Sequence, residues 1–207
     1  MRYYYHPGSP NCRKVTAVLD LLEVDAERHI VDLPRGEHLQ PAFLAINPNG
    51  KVPALVDGEW TIWESNAIII HLAENAGSDL WPAGERRLDI LKWMFWEQAH
   101  LMYAAGVPFF QRVLKPVLGL GPADEQRVAE ALASFRRLAK VLDGQLASRS
   151  FLVGDALTLA DLAVASNFSY AELGGLPVGE FGNVTRWLAE LDKIPAWRRN
   201  APPAFGG

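Results

Sequence analysis

The chain has 207 residues, 49% of them hydrophobic and 21% charged, enough for one large domain or two small ones with proper cores. A formal net charge of −4 and a pI near 5.7 argue against a nucleic-acid or anionic-membrane surface, which requires clustered excess Lys and Arg. A single cysteine, Cys12, excludes an intrachain disulfide, and His6, His29, His38, His71 and His100 show no ligand spacing, so no metal is expected.

No apolar run approaches the ~20 residues of a membrane span, and the start Met1–His6 lacks a signal-peptide core. A cytoplasmic location is the expectation. In chain order, Arg2–His6 reads as a first strand, and Pro7-Gly8-Ser9-Pro10 breaks it before the helical pattern Val15, Val18, Leu19, Leu22. A second strand at Glu27–Asp32 follows at a spacing suited to a right-handed crossover, so the two strands should be parallel neighbours. Glu37–Ile46 reads as a short, weakly patterned helix.

Residues 47–66 organise what comes before and after. Asn47-Pro48-Asn49-Gly50 is a turn, Ala54–Val56 and Trp60–Trp63 are strands, and Asp57-Gly58 between them signals a hairpin. Ser65 precedes the apolar run from Asn66 to Ala73 and is expected to cap that helix, leaving other N–H groups outward as an anion site. A cis Val52-Pro53 bond is expected, with the Val52 N–H and C=O left free at a sheet edge to pair with an extended peptide. Glu64 is placed to meet an ammonium group.

Small and breaking residues over 77–84 read as a linker, and everything beyond is helical in pattern. Arg87–Lys115 is a first long helix, bent or interrupted at Gly106 and Pro108; Trp93, Trp96, His100 and Tyr103 form one stripe along it, with Phe109 and Phe110 further on. Pro122–Ala147 is a second amphipathic helix. Thr158-Leu159-Ala160-Asp161 is a capping box that opens an apolar helix to Tyr170. Asn183–Ile194 is a further helix, and an irregular tail follows Pro195.

The order β-α-β-α-β-β-α, with Pro53 opening the third strand, resembles the thioredoxin fold as used by the glutathione transferase superfamily. The resemblance rests on Ser9-Pro10-Asn11-Cys12-Arg13, on Asn47–Leu55, on Glu64-Ser65 and on the Thr158–Asp161 box, and it covers nearly the whole chain. It implies a thioredoxin-like glutathione-binding domain at 1–76, a linker at 77–84, and an all-helical domain at 85–207 carrying an electrophile site, in a serine-type enzyme of theta- or phi-like character.

By the same resemblance, Ser9 stabilises the glutathione thiolate, with Tyr5 and Cys12 as competitors for the sulfur. His38, Lys51, Val52, Pro53, Glu64 and Ser65 bind glutathione, and Tyr103 and Phe110 contact a small hydrophobic electrophile. One departure is Leu39, where such segments often carry Lys. Ser9 also reads as a turn residue, and Cys12 as a buried, inert one, since it holds the second place of a C-x-x-C pattern whose first place is Ser9. The resemblance implies a homodimer with glutathione as co-substrate and a role in detoxification. Two alternatives are a glutathione-dependent disulfide reductase or peroxidase, and a non-catalytic interaction module on the same fold.

Overall fold

The computed structural model describes residues 1–203, so the expected irregular tail lies partly outside the described residues. Contacts group Met1–Pro82 with the segment from Ile194 onward into one unit and Ala83–Lys193 into a second.

The first unit is built on a four-stranded sheet in the order β2-β1-β3-β4. Strand β1 (Arg2–Tyr5) runs parallel to β2 (Glu27–Ile30) and antiparallel to β3 (Ala54–Asp57), and β3 pairs with β4 (Trp60–Trp63) across a two-residue turn, Asp57 opposite Trp60. Gly58 takes φ 61° in that turn, a conformation glycine adopts without steric cost. Helix α1 (Pro10–Leu21) makes the crossover between β1 and β2 and packs against α3 (Ser65–Asn75). Tyr3, Val15, Val18, Leu19, Leu55, Ile68, Ile69 and Leu72 form the buried centre.

The helix expected over Glu37–Ile46 is divided into a 3-10 turn (Glu37–Leu39) and a short α2 (Pro41–Leu44). Gln40 between them is extended, at φ −76° and ψ 148°, because Pro41 disfavours the helical region for the residue before it. Another difference concerns the C-terminal segment. Helix α11 (Pro195–Arg199), expected with the helical half, belongs to the sheet unit. There Arg13 lies buried with its guanidinium 3.8 Å from the Trp197 ring centroid and donates from Nη2 to the Trp197 carbonyl.

The second unit is helical. Helix α4 (Arg86–Trp96) passes through a π-helical turn (Glu97–Leu101) into α5 (Met102–Phe109), which passes through another (Phe110–Leu114) into the short α6 (Lys115–Val117). The helix therefore runs through Pro108, whose missing N–H is accommodated by loosened hydrogen bonding around it. Long α7 (Glu125–Leu146) packs against α5, α9 (Ala171–Gly174) crosses α5, and α10 (Gly182–Leu191) packs on α7. A Cβ on Gly174 would sit 3.1 Å from the Phe109 nitrogen, so any larger residue would press the two backbones apart at that crossing.

Helix α8 (Leu159–Ser166), shorter than expected, is buried at every position. Its start is the capping box read from the sequence. Asp161, fully buried, accepts from the Thr158 N–H and hydroxyl on one oxygen and from the Leu152 N–H and Trp187 Nε1 on the other. Burial pushes its carboxyl above the ordinary range even against these donors. Asp161→Ala strands three buried N–H donors and should cost about 3 kcal/mol or more, whereas Thr158→Ala should cost about 1 kcal/mol. Denaturant melts of both variants check the ranking.

Candidate active site

Three segments of the first unit carry the residues singled out above. The first is the loop after β1. Ser9 is the N-cap of α1, with its Oγ accepting from the Cys12 N–H at 3.4 Å, and Pro10 occupies the first helical position, where a missing N–H is harmless. The cap uses a lone pair, and the Ser9 side chain also hydrogen-bonds the Cys12 thiol, which lowers that thiol's pKa against the larger effect of burial. The first turn is pinned to the sheet by the Tyr3 hydroxyl, which donates to the Cys12 carbonyl at 3.0 Å.

The second segment is the turn before β3. Asn47, 3% exposed, donates from Nδ2 to the Lys51 carbonyl at 2.6 Å and accepts from the Asn49 N–H on Oδ1 at 3.1 Å. Gly50, at φ 59°, lies so close to the Glu37–Leu39 turn that a Cβ would meet the His38 carbonyl at 3.2 Å. His38 and Lys51 are thereby brought into one neighbourhood. The Nδ1 atom of His38 is buried without a hydrogen-bond partner, which buried ring nitrogens seldom are.

The Val52-Pro53 bond is cis. Strand β3 is internal to the sheet and β4 is the edge, so Val52 lies beyond the end of a central strand, not along an outer edge as expected. No hydrogen bond reaches its backbone among the described residues.

The third segment is the start of α3, where the structure corrects the expected cap. Glu64, not Ser65, is the N-cap residue, without a side-chain cap bond. It sits at φ 68° and ψ 111°, a conformation that L-residues adopt only at a cost and that concentrates at ligand sites. Ser65, 5% exposed, donates from Oγ to Asn11 Oδ1 at 3.2 Å, and Lys14 Nζ donates to Asn66 Oδ1 at 2.8 Å. Asn11, Lys14 and Asn66 were missed in the sequence, since they pair across 52 to 54 residues with no local pattern to mark them.

The two competitors for the sulfur are placed differently. Tyr5 stacks on Tyr3, ring centroids 5.0 Å apart, and lines a recess to which Ser9 does not contribute. Cys12 is 1% exposed, and burial pushes its thiol from the ordinary 9.0 up to about 11.

In the second unit the expected aromatic stripe is broken. The π turn at Glu97–Leu101 shifts the helical phase, so Trp93 is buried while His100 and Tyr103 are exposed. Tyr103 and Phe110 do share one feature, a shallow apolar depression of about 300 Å³ completed by Met102, Gly106, Val107, Gln111 and Arg127. Among the described residues no cluster of His, Cys, Asp or Glu could hold a metal ion, and no helix is long and apolar enough to cross a membrane.

Residues 4–80 match the model of the glutathione S-transferase N-terminal domain, and residues 98–195 match that of its C-terminal domain. A solved structure of glutathione S-transferase III is 34% identical, with a TM-score of 0.86 over 100% of this chain and 98% of that one. This chain belongs to the glutathione transferase family. Glutathione transferase F7 from Populus trichocarpa is 28% identical, with a TM-score of 0.89 over 97% of each chain. A family member from Pseudomonas fluorescens pf-5, solved with two glutathione bound, is 27% identical, with a TM-score of 0.85 over 97% of this chain and 92% of that one.

The burial of Cys12 in this transferase fold gives a direct test. With a thiol near 11, about one molecule in a few thousand is thiolate at pH 7.5, and the nucleophile is the thiolate. An aromatic disulfide reagent should therefore leave the native protein unmodified over minutes and titrate one thiol per chain in denaturant. The raised value also stabilises the fold below about pH 9, a contribution that is lost as the pH rises through about 11.

Proposed function

We propose that the protein is a serine-type glutathione transferase. It binds the tripeptide along the three segments above and ionises the thiol through Ser9 for attack on a small apolar electrophile. The observation that carries this reading is the pairing of an N-capping Ser9 with an α3 start that has no side-chain cap.

An uncapped helix start directs backbone N–H groups and the positive end of the helix dipole outward, and both favour a carboxylate. In this reading the Ser65 N–H and its neighbours take the γ-glutamyl carboxylate of glutathione, and the exposed Glu64 side chain takes the ammonium group. The Val52 N–H and C=O pair with the peptide backbone. His38 and Lys51 take the glycine carboxylate, and Pro53 closes the wall behind Val52.

Ser9 then donates to the sulfur. A hydrogen bond to a charged acceptor contributes roughly 1.5–3 kcal/mol, and about 1.4 kcal/mol corresponds to one pKa unit. A free thiol near 8.5 would drop by about one or two units, taking the bound sulfur from a few per cent ionised at neutral pH to half or more. The thiolate forms its new bond to the electrophilic carbon, and the electron pair leaves with the departing group or is protonated on the adduct. Tyr103 and Phe110, with the depression they line, are assigned to the electrophile. The protein on this reading is a cytoplasmic homodimer acting in detoxification, and sedimentation at micromolar concentration checks the dimer.

Glutathione titrated into the protein at neutral pH should give a saturable rise in ultraviolet thiolate absorbance. Ser9→Ala should abolish the rise and lower kcat by about tenfold or more with glutathione affinity nearly unchanged. Ser65→Ala should act in the opposite way, raising the dissociation constant first. An unaltered thiolate signal in Ser9→Ala would remove Ser9 from the mechanism, and binding detected by heat alone in the native protein would leave a carrier without activation.

A further inference from the structure

The first unit contains a second polar recess that the proposed glutathione site does not use. It is a cavity of about 150 Å³, lined by Tyr5, His6, Cys12, Thr16, Arg28 and Arg199 among others, with Arg13 and Asn200 in the same wall. None of His38, Lys51, Val52, Glu64 and Ser65 contributes to it. A water molecule occupies about 30 Å³ in the liquid, so the cavity has room for a tetrahedral oxyanion with a few waters.

Its charge comes from an arrangement that joins three elements. Asp20, on α1, accepts from Arg28 Nη2, on β2, through one oxygen. Through the other it accepts from Arg199 Nε at 2.8 Å and Asn200 Nδ2 at 2.7 Å, at the end of α11. The Asp20 side chain is 10% exposed, and its carboxyl is held below the ordinary range by these donors against the opposing effect of burial. Two guanidinium groups thus share one carboxylate, and each uses a single N–H on it.

The Asp20 carboxylate balances one of the two guanidinium charges of Arg28 and Arg199 and leaves the other in excess, while the Arg13 guanidinium in the same wall is stacked on Trp197. Asp32, the acid that acts on His6, is itself paired with Arg35. His6 accepts from the Gly8 N–H on Nδ1 at 3.1 Å, so its neutral form carries the proton on Nε2 and adds a donor. Burial lowers the His6 pKa, keeping that form at neutral pH. Planar guanidinium forks beside neutral donors match a tetrahedral oxyanion.

We propose that this cavity binds a small inorganic oxyanion of the phosphate or sulfate class, gripped by Arg28 and Arg199, and that the anion fastens α11 to β2. The occupant neutralises the guanidinium excess and adds a second bridge beside Asp20.

The purified full-length protein is melted in sodium phosphate, in sodium sulfate and in sodium chloride matched for ionic strength. Phosphate and sulfate should raise Tm along a saturation curve, by roughly 5–10 °C at a hundredfold excess over Kd, and chloride should not. Arg28→Gln and Arg199→Gln, each judged by its own phosphate-minus-chloride difference so that general destabilisation cancels, should weaken the anion by about tenfold or more. Broadening of the phosphate phosphorus resonance by the protein reads the same loss directly. Glutathione affinity should be the same with and without saturating phosphate. A shift that does not saturate, that chloride reproduces or that both variants retain overturns the proposal, as does displacement of phosphate by glutathione.

Discussion

Two side-chain hydrogen bonds tie the first turn of α1 to the first turn of α3, Asn11 to Ser65 and Lys14 to Asn66, and the candidate site depends on them. Helix α1 brings Ser9 and helix α3 brings the Glu64-Ser65 start. Nothing local to either segment fixes the distance between them. Lys14 is fully buried, and a buried ammonium group is tolerated only when hydrogen-bonded, so the Lys14–Asn66 bond is costly to break. The Tyr3 hydroxyl on the Cys12 carbonyl anchors the same turn to the central strand. Rigid placement matters because displacing a catalytic group by an ångström can cost a hundredfold in rate.

The two helix starts are finished in opposite ways, and the difference separates their roles. At α1 a serine side chain satisfies one backbone donor, so the turn is closed around a single hydroxyl. At α3 the residue before the helix is in a left-handed conformation and provides no side-chain cap, so the backbone donors are presented themselves. A lone hydroxyl suits one sulfur atom; a cluster of N–H groups at a helix dipole suits a carboxylate. Burial of the Ser65 side chain on Asn11 removes it from the cap, and in the proposed function its N–H takes the carboxylate.

The element order of the sheet unit, its parallel first pair, its hairpin and most of the helices could be read from the sequence, because each is specified by local signals such as the Gly58 hairpin, the breaking run before Pro10 and the Thr158–Asp161 box. The β1–β3 pairing that makes β3 internal has no local signal. The motifs at Ser9, Val52-Pro53 and Glu64-Ser65 were legible as well, though the cap role was assigned one residue late. The reason is that Ser is the commoner cap, and a positive φ at Glu64 has no sequence signature. The π turns at Glu97–Leu101 and Phe110–Leu114 were illegible for a related reason: an extra residue per turn changes phase without changing composition, so a stripe drawn at 3.6-residue spacing placed Trp93 and Tyr103 on one face. The long-range pairs Asn11–Ser65 and Asp20–Arg199 lie wholly in tertiary geometry.

The burial of Cys12 bears on which chemistry this fold can carry. A neutral thiol held at about 11 and 1% exposed is a poor attacking group, so a redox cycle through the protein's own sulfur lacks its nucleophile at neutral pH. Lowering it to neutrality would require about four pKa units, on the order of 5 kcal/mol at 1.4 kcal/mol each, more than one hydrogen bond supplies. A thiol brought by a ligand starts near 8.5 in solvent and needs only one or two units, which lies within the range of one charge-assisted hydrogen bond. In the proposed function Ser9 provides one such bond, from the same turn in which Cys12 is sealed. A single serine, in the proposed function, is therefore matched in energy to activating a bound thiol and inadequate for activating the buried one.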